Sequence, residues 1–367
     1  MFTPRKRPQR LQIASLILTS SVLATTPTLA SESDVMFHVA GYADTTLTNV
    51  DGGDSEFTYT LAPIVHMQVG ESLFFEAEFE LEGNDRGDTE TALEYATVNW
   101  LINDNVALVA GQFLSPVGYF FQNMHPSWIN KLASVPAGFG HGGAAPLSDF
   151  GLQLRGGKAF AGGQSINYAL YLANGPSLGL EGMDDLDLDV EASSDNPDGE
   201  RVAGGRLGWL PIPTLELGMS LASGNVRLAG GDAGHVGVKS EFEEPSRLYA
   251  VQGIDLSWQA YKNFGVRGEW LQQRVGSAAA SLVPDGAKWR AWYLQGNYRF
   301  GGEHWETVLR FGDSNSPHSE ATYRQTAIGL NYLFSSRSLL KLSWELNSSA
   351  NEETAADRVL LQFAFGF

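Results

Sequence analysis

The chain has 367 residues, no cysteine, 42 acidic against 24 basic residues, and a formal charge of −18. Lack of cysteine excludes a disulfide framework, thiolate metal sites and covalently attached c-type haem. Acidity this strong argues against nucleic acid as a partner.

The first stretch, "MFTPRKRPQRLQIASLILTSSVLATTPTLA", sets Arg5, Lys6, Arg7 and Arg10 before a short apolar run, Ile13 to Ala24, diluted by Ser and Thr. With small residues at its end, segment 1–30 reads as a cleaved secretory signal, too short and too polar in its apolar part to span a membrane. Its removal takes away four bases and no acid, moving the charge from −18 to −22. Nothing in 31–367 approaches 18 consecutive apolar residues, so no transmembrane helix is expected there.

Alternation and turn residues then mark sixteen strands, near 35–46, 56–68, 73–82, 91–102, 106–113, 149–156, 165–173, 201–210, 214–224, 247–259, 263–273, 288–299, 304–312, 322–334, 338–347 and 357–367. The third is the most informative. In "SLFFEAEFELEG", Glu76, Glu78, Glu80 and Glu82 fall on one face, and Leu73, Phe75, Ala77, Phe79 and Leu81 on the other. Glutamates spaced roughly 7 Å apart along a strand repel one another, so that face needs water.

Every second connection is tight: "VGES", "NDN", "AGGQ", "PIPT", "YKN", "GGEH" and "SSRS". The others are longer and polar, above all 114–148, 174–200 and 225–246. Short turns on one side and long loops on the other predict an all-β fold, a transmembrane antiparallel β-barrel with periplasmic turns and extracellular loops. A soluble sandwich gives no reason for that alternation. Apolar outward faces agree, as in Leu215, Leu217, Met219 and Leu221, or Leu340, Leu342, Trp344 and Leu346. Trp209, Trp258, Tyr298, Phe300, Tyr332 and Phe334 fall at strand ends, where interface girdles form.

The same parity turns charges inward. The candidate pore-lining residues are Glu76, Glu78, Glu80, Glu82, Arg155, Arg206, Arg267, Glu269, Arg310 and Lys341, joined by Glu216, Asp255, Arg299, Glu306, Glu345 and Arg358. A lumen so charged is expected to be water-filled, with some bases neutralising acids across strands.

Segment 114–148 is long and carries Trp128, Ile129, Leu132 and Phe139, which disfavours an extended loop in water. A short helix is expected to open at Pro126-Ser127 and end before Pro136, packed on the inner wall. The candidate constriction residues are His125, Trp128, Asn130 and Lys131, with Asn130 and Lys131 facing the channel; packing over a neighbouring subunit is the alternative for this loop.

The strand "AGYAD", the stretches "FFEAEFELEG" and "LEYATVNWL", and above all "GQFLSPVG" running into "HPSWINKLASVP", resemble the phosphate-selective porin family. The final "DRVLLQFAFGF", ending on Phe367, likewise resembles the assembly signal of outer-membrane barrels. The resemblance implies a sixteen-stranded, usually trimeric channel whose third extracellular loop folds inward. It departs at selectivity. Where the family's phosphate-selective members commonly carry bases along "GQFLSPVG", this chain has Gln112 and Leu114, and its acidic stripe opposes anions. The expectation is a bacterial outer-membrane porin, passing small hydrophilic or charged solutes or ions, with a bias toward cations. Its partners would be outer-membrane lipid and lipopolysaccharide, the barrel assembly machinery and two further copies in a homotrimer, with no cofactor and no metal. The alternative is a structural or receptor barrel closed by its loops.

Other motifs carry less. "GFGHGG", 138–143, fits G-x-G-x-x-G but runs into Pro146 instead of a helix, and no G-x-S-x-G elbow accompanies "HGGA". The seven histidines are scattered, without an i, i+4 pair, so no enzyme is expected. In the acidic run 181–200, Asp185, Asp187 and Asp189 begin like a calcium loop, but Val190 and Asn196 break the pattern, and a solvated loop is expected.

Overall fold

The computed structural model describes residues 35–140, 143–144, 146–181, 185–189, 198–228, 244–281, 283–318, 321–351 and 354–367. The expected signal over 1–30 and most of the acidic run lie outside the described residues.

Eighteen strands and one short helix follow the chain: β1 (Val35–Val50), β2 (Ser55–Val69), β3 (Leu73–Asn84), β4 (Thr89–Asn103), β5 (Val106–Leu114), α1 (Phe120–Met124), β6 (Ser148–Ala159), β7 (Ser165–Ala173), β8 (Ser177–Glu181), β9 (Asp185–Asp189), β10 (Val202–Ile212), β11 (Leu215–Val226), β12 (Arg247–Tyr261), β13 (Phe264–Val275), β14 (Ala287–Phe300), β15 (Trp305–Asn315), β16 (Tyr323–Leu333), β17 (Ser338–Ser348) and β18 (Arg358–Gly366). All but β8 and β9 form one closed antiparallel barrel, each strand pairing with its chain neighbour and β1 closing on β18. The sixteen expected strands are therefore the sixteen of the barrel. β8 and β9 form a separate hairpin inside the 174–201 connection.

Closure removes every sheet edge, which a barrel in lipid requires. The seam is completed at the C-terminus, where Phe367 and Gly41 exchange two backbone hydrogen bonds, of 2.9 and 3.1 Å. Beside it a row of rings runs along one rim, through Trp305, Tyr332, Phe334, Phe363, Phe365 and Phe367, with neighbouring centroids 4.9–6.2 Å apart. Outward residues stay uncovered: Leu170, Leu172, Leu221, Ile254 and Trp344 each leave more than half of their area exposed. Such a continuous apolar exterior is tolerable only in lipid.

The interior departs from the expected water-filled lumen. Loop residues Val117, Phe120, Met124 and Phe139 pack with wall residues Tyr171, Tyr249, Trp289 and Tyr293, and Leu178, Leu180 and Leu186 of the β8–β9 hairpin join them. Part of the barrel is thus filled by an apolar core, because the inward loops bring their own hydrophobic side chains and cover the wall behind them.

Candidate functional site

The 115–147 loop is fastened to the far wall by polar side chains projecting from β11 to β18. At its start, Glu269 accepts backbone N–H bonds from Tyr119 (2.9 Å) and Phe120 (3.0 Å), and Ser220 Oγ accepts one from Gly118 (2.9 Å). Gly118 has φ +84°, and a Cβ there would lie 1.9 Å from Glu269 Oε1, so only glycine fits. The helix expected from Pro126-Ser127 is displaced: α1 ends at Met124, and Pro126 supports only one turn, its carbonyl accepting from Ile129 and Asn130. The reason is tertiary, since the carboxylate that fixes α1 comes from β13, about 150 residues away.

Further along, Lys341 Nζ donates to the carbonyls of Ser127 (2.5 Å) and Leu132 (3.2 Å) and to Gln362 Oε1 (2.6 Å). Arg310 donates to Ser134 O (3.0 Å), Ser134 Oγ (2.8 Å) and Val135 O (3.0 Å). Ala133 N–H donates to Ser343 Oγ, Asn331 to Lys131 O, and Gln273 to Gly143 O. Gly366 leaves room for the Trp128 indole, which a Cβ would meet at 2.8 Å.

Of the two residues expected to face the channel, Asn130 lines the larger cavity on the β1–β4 side, whereas Lys131 turns to the opposite wall. Lys131 Nζ lies 3.3 Å from the buried Glu306 of β15, and Asn130 is buried with its amide on Ser134 O. Burial lowers the Lys131 pKa from the ordinary lysine value, with Glu306 opposing that shift. The buried carboxylate needs a cation, and the loop supplies one.

Glu269, Arg310 and Lys341, expected to line the pore, do point inward but lie beneath this loop, with 4%, 1% and 0% exposure. The bases are also largely matched. Arg206 pairs with Asp255 (2.6 Å) and Glu216 (2.9 Å), Arg299 with Glu306 (3.0 Å), and Arg358 with Glu345 (2.6 Å). Arg155 remains exposed on the open side, bonded to Asn99, and Arg267 is half-buried with Nη1 unpartnered.

Opposite the fastened loop, β1–β4 contain no Lys or Arg. A cavity of about 730 Å³ there is lined by Asp44, Glu80, Glu82, Glu90 and Glu94, with Tyr42, Thr58 and Thr60, and on the loop side by His125, Ser127 and Val135. A second, of about 420 Å³, takes Glu76, Glu78, Tyr95 and Arg155, sharing His125 and Leu114 with the first. A third, of about 400 Å³, continues from Arg155 to the 103–105 turn. Between the first two, His125 Nε2 lies 3.5 Å from Glu78 Oε1, so the loop reaches across to the acidic wall. His125 Nδ1 contacts Phe121 O at 2.5 Å and carries the proton there, since a carbonyl only accepts. Glu78 also accepts from Tyr42 Oη (2.8 Å).

Tyr42, Asp44, Glu90, Glu94 and Gln153 also line these cavities, beyond the expected residues. Asp44 shares a face with Tyr42 by simple alternation and was legible. Glu90 and Glu94 were masked by a bulge in β4, where Glu94 is the extra residue opposite the Glu78–Phe79 step, which reverses parity.

No family model matches the chain, and no curated protein matches it. Solved structures do. An anion-selective porin from Comamonas acidovorans aligns at 15% identity over 91% of this chain and 100% of its own, with a TM-score of 0.60. A loop-deletion variant of OmpT, an outer membrane protein of Vibrio cholerae, aligns at 9% identity over 91% and 99%, TM-score 0.58. The fold is porin-like. A variant of a Rh. blastica porin adds a third instance, at 16% identity over 90% and 100%, TM-score 0.52. At these identities the likeness is one of fold, a porin-like sixteen-stranded β-barrel, and does not single out the phosphate-selective family. The porin-like barrel and its apolar exterior agree on a place in the outer membrane.

Proposed function

We propose that this protein is an outer-membrane porin, a passive diffusion channel for small hydrophilic or charged solutes. The observation that carries the reading is the succession of polar cavities that runs mainly along the β1–β6 wall, from the Glu82–Glu90 level past His125 to the 103–105 turn, the last of them also lined by Asn167 of β7, Arg206 of β10 and Glu216 of β11. The 115–147 loop sets the narrowest point, where His125 faces Glu78. Asp44, Glu76, Glu80, Glu82, Glu90 and Glu94 bias the path toward cations, because β1–β4 supply no Lys or Arg and most bases of the far wall are paired or covered. A signal over 1–30 and a homotrimeric assembly belong to the same reading.

A second reading, a receptor or structural barrel closed by its loops, draws on the apolar core formed by the loop and the β8–β9 hairpin. Planar-bilayer recording of purified protein separates the two. The channel reading expects stepwise conductance after insertion; inserted, heat-modifiable protein that gives no current supports the closed barrel.

A further inference from the structure

The second cavity holds acid and base apart in a way the far wall does not. Asn99 of β4 stands between them: its Nδ2 donates to Glu76 Oε2 (3.4 Å), while its Oδ1 accepts from Arg155 Nη2 (2.8 Å). Arg155 makes no ion pair with any carboxylate among the described residues, although Glu76 and Glu78 line the same cavity. One amide thus separates a carboxylate, whose other oxygen lies 3.1 Å from His66 Nδ1, from a guanidinium that lines the same space.

Gln153 supplies an independent observation. It is 1% exposed, lines this cavity from β6, and neither its Oε1 nor its Nε2 has a partner. A buried amide with a free donor and a free acceptor costs free energy unless something in the cavity bonds to it.

From this geometry we infer that the cavity is a transit site for zwitterionic solutes, free amino acids or very short peptides. The ammonium of such a solute bonds to Glu76, its carboxylate to Arg155, and Gln153 takes the polar group beyond. A simple cation meets Arg155 and a simple anion meets Glu76 and Glu78, so only a molecule carrying both charges satisfies both walls. The inference rests on the channel reading and names its solute class.

The test is swelling of liposomes holding the purified full-length barrel, with L-glutamine as the zwitterion and xylitol as an uncharged solute of similar size. L-glutamine entry should saturate with concentration and exceed xylitol entry when dilute, while xylitol entry stays linear. Arg155→Gln and Glu76→Gln should each raise the half-saturating concentration of L-glutamine about tenfold, the worth of one charge-assisted bond, and change xylitol entry by a smaller factor. Should either variant fail to assemble, saturation in the wild type decides the matter alone. Linear L-glutamine entry no faster than xylitol overturns the site and leaves the channel reading standing. Variants that change both solutes equally also overturn it, since the residues then only shape the aperture. Entry of neither solute overturns the channel reading and the site together.

Discussion

Gly118→Ala isolates the contribution of the loop's first anchor. The residue sits at φ +84°, and the added Cβ would lie 1.9 Å from Glu269 Oε1 and 3.1 Å from its Cδ. An alanine in that backbone region costs about 1–2 kcal/mol. The carboxylate must also move, which breaks two hydrogen bonds from Tyr119 and Phe120, each worth about 1.5–3 kcal/mol. Together that is about 4–8 kcal/mol of loop anchoring before any relaxation. The anchors at Lys341 and Arg310 are untouched, so the loop should loosen at its 115–125 end, the end that carries His125. Single-channel recording should show larger mean conductance and more open-channel noise, while heat resistance of the barrel on a gel stays unchanged. Ser220→Ala, which removes only the Gly118 N–H bond, should give a smaller change of the same sign. An assembled Gly118→Ala protein with wild-type conductance and noise would refute the argument that this anchor holds the constriction.

Changing Glu76, Glu78, Glu80 and Glu82 together to Gln should move the reversal potential in a salt gradient toward anions. Two unit charges about 7 Å apart interact by roughly 0.6 kcal/mol even at the dielectric of water; the shift should fade near 1 M salt, where the screening length is about 3 Å. A wild type that is strongly anion-selective would contradict this. Deleting 127–140 from a barrel that still assembles should raise single-channel conductance, because the segment holding the loop to Lys341, Arg310 and Glu306 is gone; unchanged conductance would place the constriction elsewhere.

Much of the barrel was legible because period-two alternation is a local property, and each strand repeats it independently. Leu340, Leu342, Trp344 and Leu346 against Lys341, Ser343 and Glu345 is sufficient to orient β17, and burial follows that pattern. What alternation does not carry is what stands in front of an inward residue. Lys341 and Glu82 both point inward by alternation, yet one is fully buried under loop carbonyls and the other opens on a cavity, a difference set by contacts some 200 residues apart. The short helix was misplaced for the same reason: Phe120–Met124 has no side-chain cap of its own and is held by Glu269 from across the lumen. The β8–β9 hairpin was missed although "SLGLE" and "DLDLD" alternate, because the surrounding acids read as a solvated run. Leu178, Leu180 and Leu186 find water exclusion in the core that the inward loop and the wall form.

The central claim is that the open path follows the β1–β6 wall while the loop seals the opposite one. The chain's freedom from cysteine makes the two walls separately addressable. Thr60→Cys places a thiol in the acidic cavity, and Ser343→Cys places one behind the loop at a position with 0% exposure. A bulky, positively charged thiol reagent, added during bilayer recording, should lower conductance rapidly in the first protein and leave the second unmodified and unaffected. Rapid block through Ser343→Cys, with Thr60→Cys modified yet conducting as before, would put the path on the other wall and contradict the account.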